Sequence, residues 1–293
     1  MKRVEILKTY KIYIDGKFPR TESGRYYTPK NGKTPLGNIC LSSRKDFRNA
    51  VVAARGAFDG WSTRSGFNRS QILYRIGEML EGRKAQFVEE LRKQGATEQT
   101  AIREVEASID RLIYFSGWCD KYSQLFSSVN PVSVPYFNFS APESMGVVAV
   151  LAPEGSSLLG LVTAIAPIIA GGNTVVVLAS ESKPLCAVTF AEVLNSSDVP
   201  GGVVNILTGN RKELNVHFAS HMDVNALYAL NTEGKELAEI QLKAVENLKR
   251  VFVKNSKDWF SSEHDSPYSI MDFQETKTTW HPIEVTGSAG GAY

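Results

Sequence analysis

The chain has 293 residues, 43% of them hydrophobic, and a net charge of +2, enough to bury a sizeable core as one large domain or two smaller ones. Acidic and basic residues are spread along it, which gives no electrostatic case for nucleic acid or an anionic membrane as partner. Cys40, Cys119 and Cys186 stand far apart with no CxxC pair, so neither a zinc site nor a disulfide framework is expected, and reduced, packed thiols in a cytoplasmic protein are.

Charge at Lys2, Arg3, Glu5 and Lys8 leaves no room for the apolar region of a signal peptide. Residues 10–18 alternate apolar and polar around Asp15-Gly16, a short-range hairpin signal, and Ile39-Cys40-Leu41 reads as another short strand. Ser43 is placed to cap a helix whose Phe47, Val51, Ala54 and Phe58 share one face before Gly60-Trp61. Further helices are expected over about 68–80, over 83–93 and after Thr97, the last carrying Ile102, Val105, Ile109, Leu112 and Phe115 at spacings of three or four. These stripes read as core. Asn130-Pro131 breaks the helical layer, and 132–139 reads as one arm of a long hairpin with 144–150 beyond an Ala141-Pro142 turn.

From Gly146 to Gly209, short β-branched runs alternate with segments of helical length, and small residues or prolines stand at each junction. That alternation predicts a parallel sheet covered by helices, because buried strands read as continuous apolar runs and parallel strands need crossovers. The uncharged run 155–180 has the length of a membrane span, but Pro167, Gly171, Gly172 and a β-branched second half make it a buried helix followed by a buried strand. Beyond it the pattern continues with a helix over about 212–219, a strand over 226–230, a helix over about 232–246 and a strand over 248–253. Residues 255–272 form a polar connection with no clear period. His217 and His221 stand four apart, a spacing that would allow metal ligation on one helix, but no carboxylate or thiol companion is evident. They read as surface histidines, and no metal is expected.

Gly146-Val-Val-Ala-Val-Leu-Ala-Pro153, Ala164-Ile-Ala-Pro-Ile-Ile-Ala-Gly-Gly-Asn-Thr-Val-Val-Val177, Glu181, Pro184-Leu185 and Pro200-Gly-Gly-Val-Val-Asn-Ile-Leu-Thr-Gly209 closely resemble the nucleotide-binding domain of the aldehyde dehydrogenase superfamily. Asn247-Leu-Lys-Arg-Val251 resembles the start of that family's next strand. The resemblance implies a Rossmann-like α/β fold, a parallel sheet with helices on both faces, and a protruding β oligomerisation hairpin. It divides the chain into a nucleotide-binding domain over 1–254, with oligomerisation strands within 8–41 and 131–145, and a linker over 255–272 in place of the catalytic domain. A closing oligomerisation strand over 273–284 and a flexible tail over 285–293 complete it.

The same resemblance implies lost chemistry. Active members need a thiolate nucleophile, an oxyanion donor and a carboxylate base. Nothing here matches the segment that supplies the thiol. Gly155 occupies the position of the oxyanion asparagine, and Lys254-Asn-Ser-Lys257 stands where the base belongs. Leu178 replaces a ribose-binding lysine, while Glu181 remains either as a ribose ligand or as a solvated helix-start carboxylate. Asn231-Thr232 corresponds to the phosphate-approaching Gly-Ser turn, with its second glycine at Gly234 or Glu236, and a side chain at the first position impedes close backbone approach. Ser156 and Ser157 read as helix caps.

Glu181, Ser156, Asn231 and Thr232 are therefore the residues of a vestigial cofactor site. No catalytic residue is assigned and no cofactor is expected, NAD(P) being the nucleotide such a site would take. The resemblance implies a noncatalytic homologue acting as a structural or regulatory subunit, in a hetero-oligomer with a full-length aldehyde dehydrogenase. The alternatives are an NAD(P)-binding oxidoreductase and a nucleotide-binding sensor.

Overall fold

The computed structural model describes residues 6–283. The charged N-terminal residues 1–5, Glu284 and the tail expected over 285–293 lie outside the described residues.

Short strands β1 (Thr9–Tyr10), β2 (Tyr26–Tyr27), β3 (Lys30–Asn31), β4 (Thr34–Pro35) and β5 (Asn38–Cys40) form the N-terminal arm. Four helices follow, α1 (Arg44–Ser62), α2 (Gly66–Gly82), α3 (Lys84–Lys93) and α4 (Glu98–Ser116), then the short α5 (Tyr122–Phe126). Ser43 caps α1 in a reciprocal box: its hydroxyl accepts from the Asp46 N–H while the Asp46 carboxylate accepts from the Ser43 N–H at 2.8 Å. Thr97 caps α4 in the simpler way.

After β6 (Ser128–Asn130) and β7 (Tyr136–Ser144), β8 (Val147–Leu151), α6 (Leu159–Ala170), β9 (Thr174–Leu178), α7 (Leu185–Asn195) and β10 (Val204–Leu207) build the first half of the central sheet. Then come α8 (Arg211–Ser220), β11 (Ala226–Leu230), α9 (Gly234–Ala244), β12 (Arg250–Lys254), α10 (Tyr268–Met271) and β13 (Gln274–Pro282). The central strands are all parallel in the order β10-β9-β8-β11-β12. Val147, Ala149 and Leu151 face α1 and α8, packing with Phe47, Val51 and Phe218. Val148 and Val150 face the opposite layer, with Ile76, Leu112, Val162 and Phe190 of α2, α4, α6 and α7. Apolar side chains on both faces explain why β8, β9 and β11 read as continuous runs.

Two expectations change in the structure. The hairpin at Asp15-Gly16 shrinks to its turn, where both residues have positive φ and Ile14 and Lys17 exchange hydrogen bonds of 3.0 Å. Tyr13 instead bridges antiparallel to Ile206 at the β10 edge of the main sheet. The long hairpin between 132–139 and 144–150 does not form. Ala141 and Pro142 lie inside the continuous strand β7, which pairs antiparallel with β13 on one side and β6 on the other, while 147–151 belongs to the central sheet. β6 pairs only as far as Ser140, so β7 has an open side at Pro142, a place where a missing N–H is tolerated.

The segment 255–272 is built from short turns, which is why it has no period: a 3₁₀ turn over Ser262–His264 and the four-residue α10. It is seated on the main body. Trp259, His264 and Ile270 are buried, and Arg111 of α4, itself 3% exposed, donates to the carbonyls of Trp259 and Ser261 and to Thr163. The Arg111 Nε also meets the Asp265 carboxylate at 2.7 Å, off the line of a hydrogen bond. Among the described residues, no helix is long and apolar enough to cross a membrane.

Candidate functional site: the crevice at the carboxyl ends of the parallel strands

The chain leaves β8 towards β9 and β10 on one side and later returns to β11 on the other. The crevice outside the carboxyl ends of β8 and β11 is therefore the topological switch point, where open α/β sheets bind their ligands. Here the guanidinium of Arg211 occupies it. Arg211 donates to the carbonyl of Ala152 beyond β8 at 3.2 Å, to the carbonyl of Leu230 at the end of β11 at 3.4 Å, to the Thr232 hydroxyl, and through Nε to Glu236 at 2.8 Å.

The neighbouring turn is also filled from within. Glu154, just after β8, accepts from the backbone N–H groups of Glu181 and Ser182 at 3.0 and 3.1 Å and from the hydroxyls of Ser180 and Ser182. The Glu181 carboxylate accepts from Asn210 Nδ2 at 3.0 Å and from the Arg211 N–H at 3.3 Å. Glu181 is thus a helix-start carboxylate, but at the N-terminus of α8 rather than of the helix that follows it, where the dipole favours a negative charge. Its backbone carbonyl accepts from the Tyr27 phenol, which burial and the charges of Glu181 and Glu154 hold protonated far above the usual tyrosine range.

Outside these contacts lies a cleft of 560 Å³, lined by Tyr27, Lys30, Glu154, Glu181, Arg211 and Lys212 among others. Of the four residues expected to mark a cofactor site, Glu181 alone lines this cleft. Thr232 is fully buried and tied to Arg211. Asn231, with positive φ, exchanges hydrogen bonds with the Ser256 backbone beyond β12. Ser156 lies at the start of α6, where its hydroxyl accepts from the Gly160 N–H at 2.8 Å and donates to Glu104, whose carboxylate also accepts from the N–H groups of Leu158 and Leu159. The helix start after β8 is capped by a carboxylate from α4. Gly234, by contrast, opens α9 with φ +59° and nothing within 4 Å of where a side chain would stand.

Arg211 and Glu154 escaped the sequence reading. Each carried a local signal: a cation at the first position of a helix opposes the dipole, and an acidic residue directly after a buried strand is costly without donors. The thiols take no part in the crevice. Cys40, Cys119 and Cys186 are buried, burial pushes Cys119 up to about 12 and raises Cys186 well above the ordinary thiol value, with Glu90 adding to the second. Among the described residues, no group of three or more His, Cys, Asp or Glu side chains is placed to hold a metal.

Fold, switch-point crevice and strand-end turns together define a doubly wound α/β architecture. Residues 19–254 match the model of the aldehyde dehydrogenase family, and the chain belongs to that family. It is 32% identical over 249 residues to the putative aldehyde dehydrogenase DhaS of Bacillus subtilis, an alignment covering 82% of this chain and 50% of DhaS. Among solved structures, a mutant of aldehyde dehydrogenase AldC from Pseudomonas syringae, in complex with NAD+ and octanal, superimposes with a TM-score of 0.77 at 28% identity, covering 84% of this chain and 50% of that one. The NAD+ complex of an aldehyde dehydrogenase from Bacillus cereus superimposes with a TM-score of 0.79 at 23% identity, covering 85% and 51%. The chain spans half the length of DhaS and about half of these solved chains.

Proposed function

We propose that this chain is a noncatalytic aldehyde dehydrogenase homologue that serves as a structural or regulatory subunit beside a full-length member of the family. The observation that carries the reading is Arg211, whose guanidinium takes the switch-point crevice for itself. A dinucleotide lying there must displace an ion pair and hydrogen bonds to two strand ends. The Glu154 carboxylate adds a negative charge at the adjoining turn, where a phosphate would be repelled. Burial keeps the Cys119 and Cys186 thiols protonated, and only the thiolate attacks a carbonyl. A partner chain is supported by the β13-β7-β6 sheet, which exposes Val129, Tyr136, Phe137 and Trp280 and leaves β13 as an edge strand.

The test is recovery of the tagged full chain at native abundance, with its companions identified by mass spectrometry. The proposal expects a full-length aldehyde dehydrogenase in fixed stoichiometry. Recovery of the chain alone, turning over aldehydes with NAD+, overturns it.

A second reading, a nucleotide-binding sensor, is favoured by one observation, the open space around Gly234 at the start of α9. It requires that millimolar NAD+ raise the melting temperature, because a ligand of the native state stabilises it.

A further inference from the structure

On the face of the sheet away from α6, helices α1 and α8 pack together through Phe47 and Phe218, stacked with ring centroids 4.0 Å apart. At one end of this contact is a concave pocket of 320 Å³ that belongs to no part of the crevice. Arg44 and Arg48, one turn apart on α1, line one side. His217 and His221, one turn apart at the end of α8, line the other, with Phe47 and Ser220 between them.

The charges here lack counter-charges. Arg25, Arg55, Arg75 and Arg83 each pair with a carboxylate, whereas Arg44 and Arg48 have neither ion pair nor hydrogen bond among the described residues. Arg44 also occupies the first position of α1, where the helix dipole disfavours a cation. Carboxylates nearby are committed elsewhere: Asp223 to Arg55 at 2.8 Å, Glu213 to Arg25 at 3.1 Å, and Asp46 to the Ser43 cap. Lys249 adds a further cation behind the pocket, donating to the His221 carbonyl at 2.7 Å, with Glu246 as the opposite charge acting on it. The His221 Nδ1 accepts from the Asp223 N–H at 3.2 Å. Its ring proton therefore sits on Nε2 as a spare donor.

We propose that this pocket binds the phosphate group of a small soluble phosphate ester, held by the guanidinium groups of Arg44 and Arg48 and by the His217 and His221 imidazoles. Guanidinium forks match phosphate oxygens, and a dianion supplies the charge that the four basic groups lack. The concavity suits a compact soluble ligand rather than a flat lipid surface. In the free protein, burial and the Arg44 cation hold His217 below the ordinary histidine value, and burial with Lys249, Arg48 and Arg44 does the same to His221 against the pull of Asp223. A bound dianion opposes that bias; His221 meets it as a neutral Nε2–H donor, since protonating Nδ1 would break its contact with the Asp223 N–H, and proton uptake falls to His217.

The test is a titration of the full chain with inorganic phosphate at constant ionic strength, read by NMR at the C2 protons of His217 and His221. Saturable shifts at both rings and a rise in the His217 pKa are expected. The R44Q/R48Q double variant should bind about tenfold more weakly or worse, as two charge-assisted contacts are lost, while melting at the parent temperature in phosphate-free buffer. Shifts no larger than those from matched chloride, or unchanged affinity in the double variant, overturn the proposal. Sedimentation with phosphatidylcholine vesicles carrying phosphatidic acid, without a response to free phosphate, overturns the soluble-ester assignment.

Discussion

The guanidinium of Arg211 and the carboxylate of Glu236 meet at 2.8 Å across the carboxyl ends of β8 and β11. The Arg211 side chain is 11% exposed and Glu236 34%, so this pair is partly withdrawn from water and shielded from salt. It belongs to α8 and α9, the two helices that flank β11. An internal ion pair thus links the helices around the switch point and occupies the space between the strands.

Arg211→Ala leaves Glu236 without its partner and removes the donor from two strand-end carbonyls. Unfolding in urea should show a loss of about 1–3 kcal/mol. A loss below a few tenths of a kcal/mol would mean that the guanidinium merely rests at the surface.

Arg111→Ala should cost more, about 3–5 kcal/mol, because it breaks a buried charge network and leaves Asp265 unpaired. Hydrogen exchange is the sharper reading. Amides over 256–265 should lose protection while those of β8 and β9 keep theirs, since Arg111 holds the carbonyls of Trp259 and Ser261. Uniform loss of protection would contradict a local anchoring role.

The sheet was legible because its information is local and repeated. β8, β9 and β11 are apolar runs, Ser43 and Thr97 announce their helices, and the glycines and Pro200 mark the junctions. β7 was misread because Pro142 ordinarily signals a turn; only the limited reach of β6 makes it tolerable within a strand. The crevice was less legible for the same reason. Arg211, Thr232 and Ala152 come together only through the strand order, and Glu104 reaches the start of α6 from a helix more than fifty residues earlier.

Gly146 carries a requirement that the fold makes plain. Its φ is +132°, and a Cβ there would lie 2.2 Å from Asn225 Oδ1, which accepts from the Val147 N–H and from Arg55. Gly146→Ala must strain the backbone and disturb that junction between β8 and β11, and should lose about 2 kcal/mol or more in urea unfolding. An unchanged midpoint would contradict the junction as drawn.

His264 makes stability depend on pH with a definite sign. It is buried and stacked on Trp259, with Nε2 at 3.0 Å from the Ser256 hydroxyl. Burial, with Lys254 and Arg111 adding like charge, holds its pKa below the ordinary histidine value. The unfolded chain therefore takes up a proton below about pH 6.5 that the folded ring refuses. Stability should fall as pH drops through that value and level off once the folded ring protonates. His217 and His221 act in the same sense, so the His264 share is read as the shallower slope of the His264→Phe variant in melting experiments between about pH 7 and pH 5. Identical slopes would remove His264 from the account.

Tyr136 and Trp280 stand edge to face across the β7–β13 pair, 41% and 54% exposed. Tyr136→Ser with Trp280→Ser should leave stability within about 1 kcal/mol of the parent, since exposed contacts contribute little to folding. On the proposed subunit role, the same variant should no longer bring a full-length aldehyde dehydrogenase with it on recovery from cells. Retention of the companion would place the interface elsewhere.

The closed crevice is tested most directly by calorimetric titration of NAD+ into the full chain, with the Arg211→Ala variant alongside. The account predicts no saturable binding by the parent and measurable binding once the guanidinium is gone. Tight, saturable binding by the parent, unchanged in the variant, would mean that Arg211 does not occupy the dinucleotide's place and would contradict the filled crevice on which the subunit reading rests, in favour of the nucleotide-binding sensor.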